Sequence, residues 1–588
     1  MKRLLFVILL TIMGCCGVHV QAVGYEKIIN PVLPGDRPDP TVIEINGEYW
    51  AAATSNEWSP LFPIFKSKDL VNWELVNYVF PDGAPDWALN NFWAPELSYD
   101  EKQGKVYLYY TARDKRTKRL SCAAAVADSP MGRFKDLGPL VAQEPGSIDA
   151  FAARDEKGKL YLIWKEDGNS MGLPTNIWAQ EMTEDRTRLI GEMTSLFCND
   201  TPWEEGLVEG VCVFKKQDYF YILYSAASCC DKKCNYKTGV ARSKSLLGKW
   251  EKYEKNPILV DNQDWRCPGH GTIVRKDGKE FYLYHAYNRS GSVYVGRQGV
   301  LEELCWGEDG WPYFRNDAVY NRPNLSLDYV DSFKGNTLAP IWQWRVTQKI
   351  DYQTGKNGLH LGASMENREL GTLLVQPVKA LNFSLTATVD NRKSMAAAGI
   401  GIIGGAHNGF GAPLAGIGIS VLKDKVEVWK NVDGKVDVLA QSAITVSATT
   451  QVRMTVKDGY WLCFEFRKGQ RWIPLATEID ASPYVPWGMG FRIGLCAKGG
   501  DGTFADFCKI ELIQFFIKSV TMKKYRLVFV LSILFLGVIK LTASEYEQVR
   551  KAPRVHVPVW QSFALSEVEL TDSYFKKAMD LHKGYLLS

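Results

Sequence analysis

One short pattern recurs five times in the first half of the chain and limits the fold more than any other feature. A turn ending in Gly or Asp leads into Tyr or Phe within an alternating apolar run, at residues 46–50, 104–110, 158–164, 217–224 and 278–285. Tyr49, Tyr107, Tyr161, Tyr221 and Tyr282 stand 58, 54, 60 and 61 residues apart. Each unit continues into a second alternating strand with a small polar turn, as in residues 65–73 and 240–250. A unit of this length holds about four short strands, and the stretch lacks the 3.6-residue period by which a helix buries one face. Four-stranded sheets repeated around an axis leave only short edges exposed, which is the β-propeller solution. Five units predict five blades within residues 23–318. The 19 Trp, 27 Tyr, 26 Phe and 50 Gly fit aromatic-rich strands joined by tight turns.

From about Leu327 to Phe515 the long repeat is gone. Short alternating runs such as 383–389 and 425–429 lie between Gly- and Asn-rich turns, which predicts an antiparallel β-sandwich of jelly-roll or concanavalin A-like type over residues 327–515. The linker is read as residues 315–326. The chain is therefore expected to be all-β, a five-bladed propeller followed by a sandwich. Its first residues, Met1-Lys2-Arg3, precede an apolar run from Leu4 to about Val20 and a small residue at Ala22. This predicts a secretory signal peptide over 1–22 and an exported, periplasmic or extracellular protein. Cys15 and Cys16, after Gly14, open a lipoprotein alternative. Lys plus Arg (70) and Asp plus Glu (66) leave a net charge of +4, so there is no basic footprint for a nucleic-acid partner.

In a propeller the innermost strands surround one axis, so residues far apart in sequence meet at its mouth. The segments that open the five repeats contain Arg37-Pro38-Asp39-Pro40, Phe92-Trp93-Ala94-Pro95-Glu96, Ser147-Ile148-Asp149-Ala150, Val208-Glu209-Gly210 and Pro268-Gly269-His270-Gly271. Two carboxylic acids across a sugar cleft can hydrolyse a glycoside. One protonates the leaving oxygen while the other, ionised, activates water or attacks carbon. A third carboxylate nearby holds a proton on the acid through its negative charge. Asp39 between two prolines, Asp149 after an apolar Ile and Glu209 in an apolar strand are read as sharing one repeat phase. A non-catalytic carbohydrate-binding protein of propeller and sandwich is the rival reading, against which these three carboxylates speak.

The ordered motifs Asn30-Pro31-Val32-Leu33-Pro34-Gly35-Asp36-Arg37-Pro38-Asp39, Trp93-Ala94-Pro95-Glu96, Ser147-Ile148-Asp149, Glu209-Gly210, Gly269-His270-Gly271 and Gly296-Arg297 resemble glycoside hydrolase family 43 over about residues 29–314. The resemblance implies an inverting glycosidase with Asp39 as general base, Asp149 as modulator of the acid's pKa and Glu209 as general acid. It implies Arg297 as a ligand of substrate hydroxyls, with a structural ion pair as the alternative. His270 is implied on the propeller axis, bonding through water or holding a structural calcium. Trp93 suits stacking on a sugar face or packing in the core. The three carboxylates suffice, so no cofactor or catalytic metal is required. The family covers α-L-arabinofuranosidases, β-xylosidases and endo-arabinanases, and the sandwich resembles the domain found on exo-acting members. The expected partners are arabinose- or xylose-containing oligosaccharides and polysaccharides.

Two further segments need an account. Met522–Arg526 is basic and Leu527–Ile539 apolar, a second signal-like sequence too short for a span of about 20 residues. The stretch that follows, from Phe563 to Asp580, resembles the opening of family 127 glycoside hydrolases, the β-L-arabinofuranosidase class. Residues 516–588 are therefore read as a read-through into a neighbouring exported enzyme, with no stable membrane span, and this context ranks arabinofuranose ahead of xylose as substrate. Cys229, Cys230 and Cys234 crowd one loop. No Cys-x-x-Cys or paired His accompanies them, so a local disulfide or free thiols are expected rather than zinc.

Overall fold

The computed structural model describes residues 28–290, 292–315, 320–321, 327–365, 370–405, 413–445 and 447–515. The signal peptide, Cys15 and Cys16, and the segment 516–588 with its second signal-like run lie outside the described residues. No helix among the described residues is long and apolar enough to cross a membrane.

Five four-stranded antiparallel sheets follow one another along the chain, within residues 41–80, 88–141, 147–198, 208–252 and 265–314. Their innermost strands are Thr41–Ile45, Ala88–Asp100, Ser147–Arg154, Val208–Lys216 and Trp265–Lys276, and each packs against the next in a closed ring. Every blade is built from one continuous stretch, so the ring is not closed by a strand borrowed from the other end of the chain. The segment before blade 1 is instead clasped to blade 5. The Val32 and Leu33 amides donate to the Gly299 carbonyl at 3.0 and 3.2 Å. The buried Asn30 amide donates to the Leu301 carbonyl at 3.0 Å and accepts from the Leu301 amide at 2.9 Å.

The aromatic excess serves mainly the joints between blades. Phe62 and Phe80 of blade 1 pack on Phe92 and Tyr110 of blade 2, with Phe62 ring centroids 6.2 Å from Phe92 and 5.3 Å from Tyr110. Each ring withdrawn from water in this way contributes roughly 2–3 kcal/mol. All five repeat tyrosines are buried. Tyr221 uses its apolar body for packing and its hydroxyl, 2.7 Å from the Gly310 carbonyl, to tie blade 4 to blade 5.

Residues beyond the propeller form two packed antiparallel sheets, one of six strands and one of eight. The predicted runs at 383–389 and 425–429 are the strands Phe383–Asp390 and Lys425–Val432, one in each sheet. Alternation puts Ile400, Ile417, Ile419 and Val428 of one sheet against Leu385, Met454, Phe464 and Phe507 of the other, in one dry core. The sandwich also docks on the propeller. Trp344–Arg345 pairs with Trp58–Ser59 as a two-stranded ribbon, Phe491 stacks on Tyr294 at 5.9 Å, and Arg492 forms a buried ion pair with Asp36 at 2.9 Å. These contacts bring the segment around residues 487–492 to the propeller mouth.

The cysteine loop carries two disulfides, Cys229–Cys230 and Cys234–Cys267. The first is local, as expected. The second reaches from blade 4 to the innermost strand of blade 5, a partner that sequence separation did not indicate. Among the described residues no group of His, Cys, Asp and Glu is arranged to hold a metal ion.

Candidate active site

The innermost strands share a backbone device that aims side chains into the mouth. Asp39, Ala94, Asp149, Gly210 and His270, one in each blade, have φ values of 51, 44, 59, 60 and 45°. Where these residues lie inside the paired strands, the ladder slips: between Trp93 and Glu96, Ile148 and Phe151, Glu209 and Cys212, and Gly269 and Gly271. A bulge with a left-handed residue re-aims the side chain that a regular pleat would send between blades. Asp39 and Asp149 occupy the left-handed position itself. Glu209 does not: it stands one residue earlier, and Gly210 takes the strained position. The expectation of one common phase for all three carboxylates is corrected in this respect.

His270 joins two of the acids. Its Nδ1 lies 3.6 Å from Asp39 Oδ1 and 3.8 Å from Asp149 Oδ2. The Gly210 amide donates to Asp149 Oδ2 at 3.0 Å, which ties Asp149 to the residue next to Glu209. A Cβ on Gly210 would stand 2.8 Å from His270 Cγ, so this strand admits only glycine beside the imidazole. Asp39, Asp149 and Glu209 are 7, 8 and 8% exposed, so each is buried but not sealed.

Each carboxyl has its own electrostatic setting. Burial pushes the Asp39 carboxyl up, but the Arg297 guanidinium at 2.9 Å, together with His285 and His270, outweighs it, and Asp39 lies well below the usual carboxylate range. Thr54 Oγ1 donates to the other oxygen of Asp39 at 2.7 Å. Burial, with the charges of Glu209 and Asp39, pushes Asp149 up to about 6 against the pull of His270 and Lys165. Burial also raises Glu209, yet the Lys165 ammonium at 2.8 Å and the Tyr236 hydroxyl at 2.9 Å hold it below its ordinary value. The sequence reading expected one charge to act on Glu209, from Asp149. The structure adds one of the opposite sign, the Lys165 ammonium.

Arg297 is 5% exposed and bonds both Asp39 and, through Nη2 at 3.0 Å, the Gly488 carbonyl of the sandwich. It is thus an ion-pair partner of Asp39 at the mouth. Trp93 is half-buried and outside the hydrophobic core clusters. Its ring lies 6.3 Å from that of Trp487, a sandwich residue that sequence reasoning missed. His285, Tyr236 and Lys165 were missed as well. The His285 imidazole stacks parallel to the Tyr236 ring at 5.7 Å and accepts the Asp39 amide at 3.1 Å. Burial, then Arg297, lowers it to about 4, so it stays neutral. The signal for these residues was faint: Lys165 and His285 lie near the end of a second blade strand and Tyr236 just before a third, outside the motifs that open the repeats. Around His270 the two carboxylates Asp39 and Asp149 face its Nδ1. Glu96, though on an innermost strand, is not part of the triad. It accepts from Thr272 Oγ1 at 3.1 Å, lines a cavity of about 720 Å³ with Arg154 and Arg275, and is pushed by burial up to about 8.

Fold and site together define a protein of the glycoside hydrolase class, a propeller with an appended sandwich. Residues 28–312 match the family described as Glycosyl hydrolases family 43, and residues 330–512 match the Beta xylosidase C-terminal Concanavalin A-like domain. The chain belongs to glycosyl hydrolase family 43. A beta-xylosidase of Bacillus subtilis is 30% identical over 354 residues, 53% of this chain and 63% of that protein. A non-reducing end alpha-L-arabinofuranosidase of Bacteroides ovatus is 24% identical, over 58% of this chain and 67% of its own. The solved xylan beta-1,4-xylosidase of Bacillus halodurans superposes with a TM-score of 0.69 at 19% identity, over 83% of this chain and all of that one. The match spans about three fifths of the length of the first curated relatives.

Proposed function

We propose that the protein is an inverting, exo-acting glycoside hydrolase that releases a terminal pentose from plant cell-wall polysaccharide side chains or oligosaccharides. α-L-Arabinofuranose is the first reading of that sugar and β-D-xylose the second. The observation that carries the proposal is the meeting of Asp39, Asp149 and Glu209 around Gly210 and His270 at one mouth, beside the sandwich residues Trp487 and Gly488. In this reading Asp39, kept ionised by Arg297, takes a proton from water as its oxygen bonds the anomeric carbon. The bond from that carbon to the leaving oxygen breaks, and Glu209 gives its proton to that oxygen. Asp149 stores the proton beside Glu209 between turnovers and aligns the donor through the Gly210 amide.

Trp93 and Trp487 offer ring faces to the terminal sugar, and the sandwich segment that sets Trp487 and Gly488 beside the triad supports exo action. Relatives carry the names of both sugars. The likeness of the C-terminal tail to an arabinose-processing enzyme places arabinofuranose first. The expected export to the periplasm or beyond suits a polymeric substrate.

The test is release from p-nitrophenyl α-L-arabinofuranoside, p-nitrophenyl β-D-xyloside and the corresponding oligosaccharides, with the anomer of the first product read by NMR. Asp39→Asn is expected to lower kcat/KM by about 10²–10⁴-fold while the melting transition stays cooperative. Binding of oligosaccharide without release of sugar by the wild-type protein overturns the proposal in favour of a carbohydrate-binding protein.

A further inference from the structure

A buried lysine at the mouth breaks a pattern that the other blades keep. In four places a residue in the last part of a second strand, or just past it, accepts the backbone amide of the left-handed residue in the next blade. Thr54 accepts from Ala94 at 2.7 Å, Thr111 from Asp149 at 3.3 Å, Ser225 from His270 at 2.8 Å and His285 from Asp39 at 3.1 Å. Lys165, the cross-strand neighbour of Ile148, stands at this place in blade 3 and has no acceptor to offer. The amide it leaves over, that of Gly210, is taken by Asp149 Oδ2. The lysine turns to other partners. Its ammonium, 1% exposed, lies 2.8 Å from Glu209 Oε2 and 3.0 Å from Asp167 Oδ1. A charge buried this far is costly unless paired, and one member of its pair is the carboxyl assigned above as proton donor.

We propose that Lys165 is a positioning residue for the proton donor: its ammonium holds the Glu209 carboxyl in place and stabilises the carboxylate left when the proton passes to the leaving oxygen. The inference rests on Glu209 being that donor. The titratable and charged groups around the pair are Asp149 and His270 on the neighbouring innermost strands, Asp39 across the mouth, and Asp167 with Arg113 beyond the lysine, while Tyr236 donates to the other Glu209 oxygen. Lys165 is the nearest cation to Glu209 and the first opposing influence on it after burial. A donor made stronger in this way matters most when the leaving group is a sugar hydroxyl, which departs poorly without a proton. It matters little when the leaving group departs as a stable anion.

The experiment compares an arabino- or xylo-oligosaccharide with a dinitrophenyl glycoside of the same sugar, and records kcat/KM against pH. Lys165→Met is expected to lower oligosaccharide turnover by about 10–10²-fold and dinitrophenyl turnover by less than about 3-fold. The basic limb should move upward by about one to three pH units. Asp167→Asn, which leaves the ammonium to Glu209 alone, is expected to move that limb downward, and it keeps the proposal open to refutation where Lys165→Met does not fold. Equal losses on both substrates in Lys165→Met, or a basic limb that stays in place in Asp167→Asn, overturn it. Glu209→Ala separates the two levels of inference. If it harms both substrates alike, the donor assignment itself fails; if it spares the dinitrophenyl glycoside and the lysine and aspartate variants shift nothing, the role of Lys165 alone fails.

Discussion

The Asp36–Arg492 pair joins the two domains next to the mouth, and replacing Arg492 by Met measures what that junction contributes. Asp36 is 1% and the Arg492 side chain 2% exposed, and a single bond of 2.9 Å links Asp36 Oδ2 to Nη1. The other oxygen, Oδ1, has no hydrogen-bond partner among the described residues. Arg37 lies nearby but bonds the Asp36 carbonyl, not its carboxylate. Removing the guanidinium therefore strands a buried carboxylate, a change that costs about 3–5 kcal/mol. Arg492→Met also loses bonds to Gln343 and to the Gly490 carbonyl. The segment that presents Gly488 to Arg297 should loosen, so kcat/KM falls together with stability. Pairing the change with Asp36→Asn removes the stranded charge, and the double variant is expected to regain most of the lost stability. Urea unfolding of wild type, both single variants and the double variant gives the coupling directly. A double variant as unstable as the sum of the two single changes would show that the pair is not coupled and that the magnitude was wrongly assigned.

Two other outcomes follow from the site. Asp149 has a folded-state pKa of about 6 against an ordinary value of 3.8, so burial disfavours its ionised form. The stability it contributes is complete below about pH 4 and is lost as pH rises toward 6. Asp149→Asn should therefore gain stability relative to wild type between pH 4 and 6, by at most about 3 kcal/mol, as read from denaturation midpoints across that range; a pH-independent difference refutes the assignment. Gly210→Ala forces a side chain into the left-handed region at φ 60° and against His270 at 2.8 Å. It is expected to cost about 2–5 kcal/mol in combined backbone strain and overpacking, and to abolish turnover by displacing the imidazole from between Asp39 and Asp149. Wild-type activity in a folded Gly210→Ala protein would contradict that arrangement.

Much of this was legible in advance because blade architecture is written in a regular period. The five tyrosines fall where they do because every blade needs the same packed joint, so spacing alone revealed the number of blades. The motifs that open each repeat sit on the innermost strands, or in blade 1 just before one, for the same reason. What spacing could not reveal was the direction of side chains at the bulges. Reading by the blade repeat places Glu209 in phase with Asp39 and Asp149, whereas the left-handed residue in blade 4 is Gly210. Cys267 was passed over as partner of Cys234 because the two lie 33 residues apart and meet only when blades 4 and 5 stand side by side.

Fold class, the order of the domains and the three carboxylates were thus determined by the sequence itself, since each rests on local alternation or on a short motif. The electrostatic character of the site was decided by tertiary structure alone. Arg297 reaches Asp39 across 258 residues, Lys165 reaches Glu209 from the neighbouring blade, and Gly488 arrives from another domain. The field at a carboxyl is set by whichever charges lie within a few ångströms in a medium of low polarity, and ring closure and domain docking, not proximity along the chain, choose those neighbours.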